Sequence, residues 1–229
     1  MHKRKSRGLA AIALLLLVGA ANLGIVARLY GQGQGGQSLF IATRVWILLL
    51  PLLWVWRIER GRIQLTRPSY RELQAGLWLG LGMFGAIYGG YLLLDQRWLD
   101  PTLVQARAEA VGLLNPWLFL AFAIYFTFGN ALVEEYIWRW FAYRQCEILV
   151  PGFAAAVLAA ACFTLHHIVA LLGFTGSWSV TLLGSLGVFV AGLVWSACYL
   201  IYRSLWACYI SHLLADLVIA IIAWQLLFG

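Results

Sequence analysis

Runs of roughly 20 residues with almost no charge recur along this chain from Leu9 onward, and a helix of that length crosses the ~30 Å hydrocarbon core of a bilayer. Such a run has few solutions besides a spanning helix, because a backbone polar group in lipid must be paired within the segment itself. Barrel strands would alternate in ~10-residue pieces, a pattern missing from these runs. Hydrophobic residues make up 63% of the 229 positions and charged residues only 11%, too little polar surface for a soluble domain of this length. The fold class that follows is all-α: a polytopic transmembrane bundle of about seven spans, or eight helices with an interfacial one included.

The formal charge of +7 gathers in Lys3, Arg4, Lys5 and Arg7 and in Arg57, Arg60, Arg62, Arg67 and Arg71. The positive-inside rule puts both groups in the cytoplasm, and no nucleic-acid partner is implied. The first apolar run, about Leu9 to Ala27, is too long for a signal-peptide core and reads as an uncleaved span with a cytoplasmic N-terminus. Gly31 to Gln37 reads as a flexible linker, and Ser38 to Trp56 as the second span, whose Arg44 snorkels to the outer end. Leu73 to Leu94 is the third span, with Gly76-x-x-x-Gly80 and Gly85-x-x-x-Gly89 permitting close helix contact inside the molecule. Asp95 to Gly112, with Asp95, Arg97, Asp100, Arg107 and Glu109, reads as an external segment holding an interfacial helix that starts at Asp100-Pro101-Thr102. Further spans are expected over about Pro116 to Tyr143, up to Leu172, Val180 to Tyr202 and Leu205 to Leu227. Cys146, Cys162, Cys198 and Cys208 show no C-x-x-C spacing and read as apolar packing.

Against this background Glu134-Glu135-Tyr136-Ile137-Trp138-Arg139 stands out. Ionisable groups at membrane depth are costly and usually face a protein interior or a watered cavity. Glu135 and Arg139 are four apart and can pair on one helix face, while Glu134, ~100° round, is left available for chemistry. Folding the fourth and fifth spans as a hairpin about Val150-Pro151 sets Glu134 and His167 at one height, each ~24 Å from the bend at ~1.5 Å per residue. A carboxylate beside an imidazole is a pairing that deprotonates water. Phe163, one turn before His167, could wall the site. His212 and Asp216 share a face of the last span; the aspartate could fix the imidazole tautomer, and His212 could donate to an oxyanion. His166 points ~100° from His167 and reads as a supporting or packing group, and Ser211 as structural.

Glu134-Glu135-x-x-x-Arg139, Phe163-x-x-x-His167 and His212-x-x-x-Asp216, in this order and in apolar helices, resemble the CPBP (Abi) family of CAAX prenyl endopeptidases and bacteriocin-processing or immunity proteins. The resemblance covers roughly the last 110 residues. It implies a glutamic intramembrane endopeptidase, with residues 113–229 as the catalytic core and 1–112 as scaffold of one integral membrane domain. Glu134 with His167 would activate the water, His212 with Asp216 would stabilise the oxyanion, and Glu135, Arg139, Phe163 and His166 would support the site. Eukaryotic CAAX proteases have Asn at the position of Asp216. An ionised aspartate cannot donate, so Asp216 either orients His212 or is protonated. The implied partners are a protein or peptide substrate, lipid-modified in some relatives, and the bilayer, in a prokaryotic plasma membrane. No cofactor or metal is expected. Rival readings are a silent immunity or scaffold protein, a zinc protease using Glu134, His167 and His212, and a proton relay through the same groups.

Overall fold

The structure, a computed structural model, describes residues 2–31, 33–61, 66–93 and 101–229, with side chains from Arg7 onward. Lys3, Arg4 and Lys5 as side chains, and Arg62, Asp95, Arg97 and Asp100 altogether, lie outside the described residues. Among the described residues eight helices follow one another: α1 (His2–Tyr30), α2 (Gly33–Glu59), α3 (Tyr70–Leu93), α4 (Pro101–Glu109), α5 (Pro116–Leu149), α6 (Phe153–Thr175), α7 (Trp178–Tyr202) and α8 (Trp206–Phe228). All except α4 are long and apolar enough to cross a membrane, which makes seven spans among the described residues. The chain is an all-α, polytopic membrane protein.

Helix ends follow local chemistry. Asn115 caps α5, its Oδ1 accepting from the N–H groups of Trp117 (3.0 Å) and Leu118 (3.2 Å), with Pro116 at the first helical position. Ser69 and Glu72 form a reciprocal capping box at the start of α3. Gly176 (φ 62°) ends α6 in the left-handed region. Pro51 lies inside α2, and the helix leaves α geometry four residues later for a π turn over Val55–Glu59.

The glycine-rich stretch is not the flexible linker its composition indicates. α2 already begins at Gly33, and Gly31 packs backbone to backbone on Gly36: a Cβ on Gly31 would lie 2.7 Å from Gly36 Cα. Glycine here permits close approach of two helix ends. The Gly76/Gly80 pair behaves as its spacing indicates. A Cβ on Gly76 would come within 2.8 Å of the Ala207 carbonyl, and one on Gly80 within 2.6 Å of Leu214, so α3 lies close against α8. Gly85 and Gly89 meet nothing within 4 Å, so their expected intramolecular contact is not made among the described residues. Arg44 is half-buried with its guanidinium over Phe40, one turn toward the start of α2.

α5 holds the bundle together, packing on α1, α2, α6, α7 and α8. It is 34 residues long and departs twice from α geometry, over Tyr125–Asn130 and Tyr136–Tyr143, leaving Ala131–Glu135 as one α-helical turn between wider π stretches. At the end of the bundle that carries Arg57 and Arg60, polar ties fasten four helices. Glu59 pairs with Arg144 (3.0 Å) and accepts from Gln145 (2.7 Å); Arg203 grips Glu147 in two contacts of 2.6 and 2.7 Å. That grip raises the Arg203 guanidinium above its ordinary pKa and accompanies its left-handed backbone (φ 53°) in the α7–α8 turn. Arg7 donates to the last carbonyls of α5, Ile148 and Leu149, where a cation also suits the helix dipole.

Candidate active site

The α5–α6 hairpin turns at Val150, which is extended, and Gly152 (φ 59°). It brings Glu134, His166 and His167 together: one candidate ligand atom from each lies within 4.8 Å of the others. His167 Nδ1 is 3.0 Å from the Phe163 carbonyl one turn back, and donating there leaves Nε2 with its lone pair free. Glu134, 14% exposed at its side chain, is the most open acid of the group.

α8 delivers the other half. His212 donates from Nδ1 to Glu135 Oε1 at 2.7 Å; its Nε2 lies 3.7 Å from Glu134 Oε2 and 3.5 Å from Asp216 Oδ1. The two ring nitrogens thus face different carboxylates. This corrects the expectation for Asp216. The short bond that orients the imidazole comes from Glu135, and Asp216 sits with Glu134 on the opposite nitrogen. The carboxyl of Asp216 also lies beside the Asn130 side chain, one helical turn before Glu134.

Glu135 and Arg139 are almost completely buried, and Oε1 of Glu135 also stands 3.2 Å from Arg139 Nη1. Glu135 therefore serves two partners, the Arg139 guanidinium and the His212 imidazole, from two helices. The Arg139 guanidinium makes no aligned hydrogen bond among the described residues; it is held between aromatic faces, 4.5 Å from the Phe163 ring centre and 4.8 Å from that of Trp195. Desolvated contacts of this kind are worth ~2 kcal/mol.

Phe163 is the hub of this aromatic cage. Its ring lies 4.5 Å from that of His167, 5.7 Å from His166, 5.6 Å from Trp138 and 6.5 Å from His212. Two members were invisible to sequence reasoning. Trp195 of α7 stacks on His212 at 4.0 Å and 18°, and its indole N–H donates to Ser211 Oγ at 2.8 Å. Trp138 stacks flat on His166 at 5.1 Å and 6°. A tryptophan in an apolar helix carries no signal separating it from ordinary packing, and no local spacing could have singled these out. Ser211 is structural, bonded to Trp195 and its own helix.

Two expectations about the histidines change. His166 does not turn away from the cluster: its ring centre is 4.1 Å from that of His167, and its buried Nδ1 has no hydrogen-bond partner among the described residues. The trio compact enough to hold a metal is Glu134, His166 and His167, whereas the expected third ligand, His212, has Nδ1 engaged by Glu135. The four cysteines are unpaired, and three of them are buried.

A cavity of about 420 Å³ runs between α5 and the α7–α8 turn, lined by Leu132, Trp140, Arg144, Tyr199, Arg203 and Tyr209 among others. Its lining includes Leu132 and Tyr209, two residues before Glu134 and three before His212 in sequence.

Residues 116–218 match the family model described as type II CAAX prenyl endopeptidase Rce1-like. The matched region carries all the residues above, and the family is one of proteases. No curated protein and no solved structure matches the chain.

Proposed function

With residues 116–218 matching the family model of Rce1-like type II CAAX prenyl endopeptidases, we propose that this chain is a glutamic intramembrane endopeptidase. Glu134 and His167 hold and deprotonate a water, which attacks a peptide carbonyl carbon. Glu134 takes the proton and returns it to the departing amide nitrogen; the new carboxylic acid then gives its own proton to the amine, so the products are a carboxylate and an ammonium. The tetrahedral oxyanion receives an N–H from His212 Nε2. Because Nδ1 of His212 donates to Glu135, a second donor at Nε2 requires the imidazolium. Asp216 is then an ionic partner of His212 rather than a donor to substrate.

One observation carries this reading: a carboxylate and an imidazole from adjacent helices stand within 4.8 Å of each other, a span one water bridges with two hydrogen bonds of about 2.8 Å. The partial exposure of Glu134 beside fully buried Glu135 supports giving the two acids different duties. In this reading residues 113–229 are the catalytic core and residues 1–112 brace it. The basic end faces the cytoplasm of a prokaryotic plasma membrane, so the 420 Å³ cavity admits a peptide tail, lipid-modified or plain, from that side. No cofactor takes part.

The test is cleavage by purified chain in liposomes, read by mass spectrometry of a peptide pool. Wild-type protein should create new termini that Glu134→Gln protein of equal stability does not. Cleavage by the Glu134→Gln variant at the wild-type rate would remove the glutamate from the mechanism.

A further inference from the structure

His166 has no part in the hydrolytic scheme, yet it is the residue that completes a donor set. Glu134, His166 and His167 present one carboxylate and two imidazoles with ligand atoms within 4.8 Å of one another. Two of the three are positioned from behind. His167 donates Nδ1–H to the Phe163 carbonyl, the backing that metal-bound histidines usually have. His166 is clamped flat against Trp138 at 5.1 Å. The His166 side chain is 7% exposed, and its Nδ1 finds no hydrogen-bond partner among the described residues, an arrangement costly for a buried polar atom unless a ligand completes it. Two imidazoles and a carboxylate with a fourth position open are a zinc-type donor set, needing ligand atoms about 3.3 Å apart around a ~2.0 Å bond length. Rotations moving these atoms by about 1 Å reach that spacing.

We infer that Glu134, His166 and His167 form a binding site for a zinc-class divalent cation, and that occupancy silences hydrolysis by engaging the base Glu134 and its partner His167. The binding half stands on geometry alone; the silencing half rests on the function proposed above. The cation would be a borderline one such as Zn²⁺ rather than Mg²⁺, which prefers oxygen ligands and octahedral geometry.

The experiment titrates ZnCl₂ into chelator-stripped full-length protein in detergent, followed by calorimetry and thermal unfolding. One site per chain is expected, with a rise in the unfolding midpoint on saturation. His166→Asn should weaken binding at least about tenfold, and His166→Cys, which restores a zinc ligand, should recover it. Co²⁺ in the same site should give the visible absorption of a tetrahedral complex in wild-type protein and lose it in His166→Asn. Absence of saturable binding, or binding indifferent to both His166 variants, would overturn the site. Peptide cleavage is then measured in chelator and in Zn²⁺. Cleavage in chelator that Zn²⁺ stops supports silencing, whereas cleavage that needs Zn²⁺, or ignores bound Zn²⁺, overturns it. Binding that depends on His166, with no cleavage under any condition, would overturn silencing and the proposed function together and leave the metal site standing.

Discussion

Oε1 of Glu135 accepts a 2.7 Å hydrogen bond from Nδ1 of His212, joining α5 to α8 across a separation of 77 residues. The same oxygen faces Arg139 at 3.2 Å. One buried atom therefore orients an imidazole and neutralises a guanidinium. Replacing Glu135 by Gln keeps an acceptor for Nδ1–H and removes the charge. The prediction is a loss of about 3–5 kcal/mol of stability, because the buried Arg139 guanidinium loses its counter-charge, and cleavage per folded molecule lowered about 10- to 100-fold, the range for groups that hold a site residue from behind. Unchanged cleavage in Glu135→Gln would show that His212 needs no such anchor.

His167→Ala and His212→Ala should each lower cleavage by two to four orders of magnitude, roughly the contribution of a positioned proton-transfer or oxyanion group. Both variants should remain folded, with the unfolding midpoint of His212→Ala lowered because Glu135 and Asp216 lose a buried partner. A His212→Ala protein that cleaves normally would contradict the oxyanion assignment.

Arg139 gives the opposite signature. Removing it strands a fully buried carboxylate, which costs about 3–5 kcal/mol. Arg139→Ala should show in thermal unfolding and purified yield before any assay of cleavage. Arg139→Lys should not rescue it, because an ammonium cannot stack its plane between Phe163 and Trp195 as the guanidinium does. A lysine variant with the wild-type melting temperature would refute the aromatic part of that account.

The two glycine pairs of α3 should separate cleanly. Gly76→Leu and Gly80→Leu drive a side chain into Ala207 and Leu214, so α3 must part from α8 and stability should fall by several kcal/mol, beyond the ~1–3 kcal/mol of ordinary overpacking. Gly85→Leu and Gly89→Leu enter open space and should leave the unfolding midpoint unchanged or raise it, since glycine is a poor helix former. Equal damage from both pairs would contradict the packing of α3 on α8.

The spans were legible because length and hydropathy alone require them in a bilayer. Their ends were read within a few residues, since Asn115, Ser177 and Gly176 cap by local chemistry while α5 runs on to Leu149 through π turns with no sequence sign. The Gly31–Gln37 stretch was misread for a physical reason: glycine signals either freedom or close backbone approach, and only the neighbouring helix decides which. In the candidate site, pairs four residues apart such as Glu135 and Arg139 could be seen in one dimension. The bond from His212 to Glu135, the Trp195 stack on His212 and the inward face of His166 are tertiary facts.

The packing of the first helix also sets a timetable for making the protein. Ala10, Ala13, Leu14, Leu17 and Ala21 of α1 are buried, and α1 packs on α6 and the far end of α5 as well as on α2. At a synthesis rate of ~5–20 residues per second, those later helices leave the ribosome on the order of ten seconds after α1. Throughout that interval the nascent α1–α2 pair must sit in lipid with its small-residue face uncovered, which makes the insertion machinery a temporary neighbour and this hairpin the step most exposed to quality control.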